Sequence, residues 1–463
     1  MKQQQHNHKR RRLGETALHT TTSTTTSFTP VTIMCGDLVV LPHQLLQPGF
    51  IHINNTTGLI LKISSTPPPT TTTNIKMLRT PIIIPGHVDI HNHGVGGAND
   101  VIDYWNNPQY TLNRLARSGT TSVIATVVFP DNETSRSTNT CKSISECVNQ
   151  DGYGCVVRGI HAEGPIVATL GGLPDSSNQA ESNNMKDFDH LLTNVIGEHL
   201  KIMTISPSID VKLNYARMKM LTERHIKVSL GHDKNCTEQD ILGALRAVQS
   251  PVNDTVKVEQ GESSFNYRRC HMTHVFNVQQ FHHRNSGLAN FALIKSFPNM
   301  PMYQNLLPPT VEVIGDFKHV SPLTLKALFS SRNTMSDVCV ITDAIAEATP
   351  GKRIQYSNDR LAEVSSDGQT VNIAGTNLLC GSCTSLHSTF RRLVDVLNIP
   401  LLEAVHICST TPSQIVGIGN VVGSLVVGKR ADLLLLDVNL NVLKTVVGGK
   451  IVWDCENPME VVV

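Results

Sequence analysis

Between residues 82 and 342 the chain repeats one pattern: a short apolar run, then a segment of helical period. Eight runs have the length and β-branched content of buried strands, at 82–91, 121–128, 155–162, 202–206, 226–230, 272–275, 310–314 and 338–342. Apolar residues recur at helical spacing between most of them, for example at 111–118, 211–224, 237–248 and 322–331. Strands that alternate with helices form a parallel sheet, and eight such units close into a (β/α)8, TIM-like barrel. Polar stretches at 174–184 and 251–269 interrupt the pattern and read as inserted loops.

The chain ends carry a different pattern. Short β-branched runs broken by Gly, Pro and Asn fill 31–63. At the far end, 423–429 is turn-rich, 432–437 reads as a strand, and 442–453 reads as a hairpin around Gly448 and Gly449. The two ends are expected to pair into a small flanking β-sandwich domain of residues 31–80 and 376–463, with C-terminal helices leading into it. The barrel then occupies 81–375. Residues 1–30 hold a Gln/His/Asn stretch, the basic run Lys9 to Arg12 and a Thr/Ser tract, and read as a disordered tail. No apolar segment follows the basic run, so it is not a secretory signal, although its acid-poor composition is also that of organellar transit peptides. A second tract at 67–73 reads as a loop insertion, and the sequons at Asn132 and Asn235 as chance.

Composition narrows the partners. Thirty-nine basic and 38 acidic residues leave a net charge of +1, which gives no electrostatic reason to expect nucleic acid or an anionic membrane. The longest apolar runs fall far below the roughly 20 residues of a membrane helix. Eleven cysteines without a dense framework fit a reducing compartment, so a cytoplasmic location is expected. Cys380 and Cys383 have C-x-x-C spacing but no partner pair, and read as two ordinary thiols.

Twenty histidines are present, and their placement points to chemistry. In a barrel the reacting groups stand where strands end at the carboxyl face. Here the expected strands end at His91 and His93, at His161 and Glu163, at His232 and Asp233, at His274, and at Asp343, with His319 just past the seventh. His or carboxylate at so many strand ends points to metal binding. Alternation puts His91 and His93 on one face of their strand. Imidazole with carboxylate suits Zn²⁺ or a related divalent ion, and three protein ligands leave a position for a water of lowered pKa. An aspartate beside that water can carry its proton.

The motifs PGHVDIHNHG at 85–94, GTTS at 119–122, GIHAEGP at 159–165, VSLGH at 228–232, THVFN at 273–277, HR at 283–284, VEVIGD at 311–316 with His319, TDA at 342–344, IAG at 373–375 and GKRAD at 428–432 follow one another in a known order. With them the chain resembles the amidohydrolase superfamily and, within it, the N-acetylglucosamine-6-phosphate deacetylase family. The resemblance spans nearly everything but the tail. It implies that Glu163, His232 and His274 ligate the main divalent metal ion, Zn²⁺ being expected, with His91 and His93 forming a second site or assisting the first. It implies Asp343 as the acid/base. Substrate contacts are implied for Asn277, Val278, Arg284, Asp316, His319, Ile373, Ala374 and Gly375, with Arg284 reaching a neighbouring subunit's phosphate in a homodimer. The implied substrate is a small amino-sugar phosphate. The alternatives are an amidohydrolase acting on a different N-acyl compound or cyclic amide, and a non-catalytic sugar-phosphate-binding relative.

Two stretches depart from the family pattern. After Glu-Gly-Pro the family continues to a histidine, whereas 166–175 contains none. Where the family has Asp-Gly-x-His, this chain has Asp316, Phe317, Lys318 and His319. Both departures fall on the sugar side, leaving sugar epimer and substrate open.

Overall fold

The structure, a computed structural model, describes residues 30–69, 76–95, 105, 107–130, 134–174, 184–249, 268–357 and 360–457. The N-terminal tail, most of both expected loop insertions, the end of the Thr-rich tract and the Asn132 sequon lie outside the described residues.

The eight barrel strands are β1 (His87–Asn92), β2 (Thr120–Val128), β3 (Val156–Glu163), β4 (Leu200–Ile205), β5 (Lys227–Leu230), β6 (His271–Met272), β7 (Thr310–Ile314) and β8 (Val338–Ile341). Each pairs in parallel with the next. The ring closes where the Asp343 N–H donates to the His91 carbonyl at 2.9 Å and the His93 N–H to the Ala344 carbonyl at 2.8 Å. Every residue of β2 and β3 is buried. That two-sided burial, between a filled interior and a layer of helices, makes these strands read as continuous apolar runs.

The first expected strand is corrected by the structure. Residues 82–91 are not one strand but two that meet at Gly86. Ile82 to Pro85 end the strand Lys76–Pro85, which pairs antiparallel with Leu433–Leu436 in the flanking sheet. The barrel begins only at His87. Gly86 sits against Thr121 so closely that a Cβ there would lie 2.2 Å from its side chain, so only glycine allows the chain to pass from one sheet to the other.

The flanking sheet has eight strands and joins both chain ends. Val31–Val40, Leu45–Leu46, Gly49–Asn54, Ile60–Ser64 and Lys76–Pro85 come from one end, and Leu433–Leu436, Val442–Val447 and Lys450–Asp454 from the other. The sheet curls over a core that includes Met34, Ile51, Ile53, Ile83, Leu433, Leu435 and Val446. Its two edges approach at Gly58, where a Cβ would stand 2.4 Å from the Gly448 carbonyl oxygen. Gly448 and Gly449, at φ 54° and 76°, form the two-residue turn expected of the last hairpin.

Two differences bear on the site. The sequence-based boundary at 375 groups the C-terminal helices with the small domain. Leu386–Asp395, His406–Thr410 and Thr411–Ile415 instead pack on β1 and β8, because the first buries Leu386, Phe390 and Leu393 against the barrel. In addition, a three-stranded antiparallel sheet of Arg353–Ser357, Arg360–Val364 and Val371–Ile373 follows β8. Among the described residues, no helix is long and apolar enough to cross a membrane.

Candidate active site

Six buried side chains converge at the carboxyl mouth of the barrel, none more than 8% exposed: His91, His93, Glu163, His232, His274 and Asp343. Glu163 is the centre. Its Oε1 lies 3.0 Å from Nε2 of both His232 and His274, and those two nitrogens lie 3.0 Å from each other. Its Oε2 lies 3.2 Å from His93 Nε2. Asp343 Oδ1 stands 3.4 Å from His91 Nε2 and 3.3 Å from His93 Nε2. Two overlapping triads, His91/His93/Glu163 and Glu163/His232/His274, each offer three ligand atoms within 4.8 Å of one another.

The backbone is turned to make this possible. His232, His274 and Asp343 each stand two residues beyond the end of their strand, with φ of 51°, 24° and 48°. Non-glycine residues adopt such angles at a cost of about 1–3 kcal/mol each, and the rest of the fold must hold them there.

Outer partners fix the rings. The His232 Nδ1–H donates to the Thr169 carbonyl at 2.9 Å, so its Nε2 faces Glu163 and His274 as a lone pair. His91 Nδ1 is 2.7 Å from Glu312 Oε1, and Glu312 Oε2 is 3.2 Å from His271 Nε2. Glu312 is fully buried, yet His91 and His271 hold its carboxyl far below the ordinary range against the opposing effect of burial. Burial pulls the His91 imidazole down, but Glu312, Asp343 and Glu163 outweigh it and hold it well above 6.5. Below these residues the interior is polar. His161 Nε2 lies 2.9 Å from Thr204 Oγ1, which lies 2.8 Å from Thr273 Oγ1. Burial drives His161 down to about 3, and its other nitrogen, Nδ1, lies 3.1 Å from the Ile90 carbonyl, so both ring nitrogens are taken and it packs rather than ligates.

The donor set fits a divalent cation. Nε2 of His232, Nε2 of His274 and Oε1 of Glu163 crowd together at 3.0 Å, more acceptor atoms than one proton can serve. Nε2 of His91 is buried without a hydrogen bond, facing two carboxylates. A cation relieves both situations, whereas a proton relieves only one contact at a time.

Above this floor lies a cleft of about 340 Å³. Asn277, Val278 and His319, three of the expected substrate contacts, line it. Asp316 does not line it. It accepts from His319 Nδ1 at 2.7 Å and so positions that ring. Ile373, Ala374 and Gly375 do not line the cleft either. They form the end of a strand and a turn that presents Asn377, Leu378 and Leu379 there instead. Arg284 is exposed and stands outside its own subunit's cleft. Sequence reasoning missed Glu312, Thr169, Lys234 and Asn377. Of these only Glu312 had a visible signal, a lone carboxylate inside the apolar strand Thr310–Ile314.

The two departures now have a structural account. Residues 166–175 contribute the Thr169 carbonyl behind His232 and the Gly171–Gly172–Leu173 wall of the cleft. Phe317 takes φ 64°, the left-handed region that a glycine occupies without strain, and its ring lies beneath the Arg392 guanidinium at 5.8 Å.

Comparison with known proteins agrees with this geometry. The amidohydrolase family profile matches residues 309–452. The N-acetylglucosamine-6-phosphate deacetylase of Bacillus subtilis (strain 168) is 25% identical over 424 residues, covering 90% of this chain and 95% of the relative. The chain is similar to the amidohydrolase family over its C-terminal third. The N-acetylglucosamine-6-phosphate deacetylase of Rattus norvegicus is 26% identical to this chain over 387 residues, covering 81% of the chain and 84% of the relative. Among solved structures, a variant of N-acetyl-D-glucosamine-6-phosphate deacetylase from Mycobacterium smegmatis, in complex with N-acetyl-D-glucosamine-6-phosphate, shares the fold. Its TM-score is 0.72 at 22% identity, covering 91% of this chain and 99% of that one. The floor of the cleft is thus a His/Glu cluster that could hold a metal ion.

Proposed function

We propose that this chain removes the acetyl group of N-acetylglucosamine 6-phosphate, giving glucosamine 6-phosphate and acetate. The observation that carries the reading is the Asp343 carboxylate, buried beside the Glu163–His232–His274 triad and open to the cleft. Relatives 25% and 26% identical over most of the chain bear the deacetylase name. A divalent cation held by Glu163, His232 and His274, with His91 and His93 beside it, supplies Lewis acidity to a water and a carbonyl. Zn²⁺ suits that donor set.

The chain's own groups do the rest. Burial pushes the Asp343 carboxyl up, but His91 and His93 bring it below its ordinary value, so it enters the reaction as a carboxylate. Asp343 accepts the proton of the water that attacks the acetyl carbonyl carbon. It then delivers that proton to the departing nitrogen, because an amide anion is too basic to leave unprotonated. Burial pulls His319 down, yet Asp316 holds it above 6.5, so it offers the cleft a hydrogen-bond donor for the carbonyl or a sugar hydroxyl. Asn277 and the backbone at Val278 line the cleft on the sugar side.

Arg284, exposed and outside its own cleft, is assigned to the phosphate in the cleft of a second copy, which makes a homodimer part of the proposal. A cytoplasmic location is the remaining part, supported by nine buried cysteines carried as free thiols. Acetate release measured across N-acetylhexosamine 6-phosphates, free N-acetyl sugars and cyclic amides tests the reading. Turnover of N-acetylglucosamine 6-phosphate above the others is expected, and turnover of a cyclic amide alone overturns it.

A further inference from the structure

Lys234 is the one Lys or Arg among the described residues that line the cleft. The remaining wall is built of imidazoles, carboxylates, amides and apolar groups. Its side chain is exposed and makes no hydrogen bond or ion pair with any described residue. The backbone beneath it is held in place. The Lys234 N–H donates to Thr169 Oγ1 at 3.2 Å, and the Thr169 N–H donates to the His232 carbonyl at 2.8 Å. Asp233 accepts from the Ser208 N–H at 2.9 Å and the Asn235 N–H at 3.3 Å. The cation therefore stands on a braced turn two residues beyond His232.

That placement matches a need the floor of the cleft cannot meet. In a hexosamine 6-phosphate the phosphate is carried away from the N-acetyl group that must reach the floor, and it arrives as an anion. The groups of the floor are committed to the cation and to the N-acetyl group, and Arg284 of the same subunit lies outside the cleft. A lysine is a point charge on a long flexible stem, suited to a phosphate at the mouth of a site.

We propose that Lys234 binds the substrate phosphate from within the same subunit and so sets the preference for phosphorylated over free amino sugars. The inference rests on the deacetylase reading above and extends it to a further residue of the cleft. The test compares wild type, Lys234→Gln and Lys234→Arg. The readouts are kcat/KM for N-acetylglucosamine 6-phosphate and for N-acetylglucosamine, and calorimetric binding of glucosamine 6-phosphate; metal content and Tm show that each variant is folded. In Lys234→Gln the ratio of the two kcat/KM values is expected to fall roughly 10- to 100-fold, through KM, with a matching loss in glucosamine 6-phosphate affinity. Lys234→Arg is expected to recover most of both. An equal loss with both sugars, or an unchanged ratio and unchanged product binding, overturns the role of Lys234 and leaves the deacetylase reading standing. A wild type that releases acetate from neither sugar overturns the deacetylase reading itself. In that event, equal glucosamine 6-phosphate affinity in wild type and Lys234→Gln overturns the phosphate site as well.

Discussion

The floor of the cleft and its rim are built under different constraints. On the floor, Glu163, His232, His274, His91, His93 and Asp343 come from strand ends and are buried, and the rings of His91 and His232 are tied from behind by Glu312 and the Thr169 carbonyl. A shift there leaves a buried polar group without its partner, which costs about 1–3 kcal/mol or more. On the rim, Gly171 to Leu173, Lys234, Asn277, Val278 and Asn377 to Leu379 come from loops, and Phe317 sits in a left-handed conformation that suits glycine better. Loops tolerate such changes. On the proposed reading the floor holds the hydrolytic chemistry and the rim holds the choice of substrate.

If that division is right, damage to the floor lowers turnover on every substrate, and damage to the rim changes which substrate is preferred. The largest effect is expected on stripping divalent ions with a chelator. Acetate release should fall to background and return on adding Zn²⁺, with Tm lower in the stripped protein. Full activity in a sample shown by elemental analysis to hold no metal breaks the account of the floor. Next comes Asp343→Asn, expected to lower kcat by roughly two to four orders of magnitude while metal content is retained. Normal turnover in that variant removes its proton-carrying role. Glu312→Gln keeps the size of the side chain but weakens the anchor behind His91. It is expected to weaken metal affinity roughly 10- to 100-fold, read by competition with a chromogenic chelator, and an unchanged affinity makes Glu312 packing only.

The smallest effect concerns the rim. His319 is raised above 6.5, so its contribution to stability is complete below that value and is lost as pH rises through its folded pKa. Asp316 is lowered below 3.8, so its contribution is present above 3.8 and is lost as pH falls through its folded value. The pair should therefore stabilise the fold most between about pH 4 and pH 6.5. His319→Gln is expected to lower Tm by roughly 1–2 °C in that window and by less near pH 9. A Tm difference that grows with pH contradicts the pairing.

The barrel was legible because its strands are buried on two faces, and the floor was legible because a barrel sends the ends of its strands to one mouth. What could not be read depends on approach and turn geometry. Nothing in the apolar stretch 82–91 shows that it serves two sheets, because the break at Gly86 exists only where Thr121 comes against it. The three-stranded sheet at 353–373 is short and half-polar, and its turn shifts the cleft contact from 373–375 to 377–379. The left-handed backbone at His232, His274 and Asp343 leaves no trace in residue type. Arg284 was expected at a neighbouring subunit's phosphate, a contact that a single copy of the chain does not display.

The central claim is that Glu163, His232 and His274 share one ion. Crystals grown with Zn²⁺ and measured on both sides of its absorption edge test it directly. The account predicts an anomalous peak about 2.0–2.2 Å from a Glu163 carboxylate oxygen and from Nε2 of His232 and His274. An empty floor, or zinc held elsewhere while these three side chains lie apart, would contradict it.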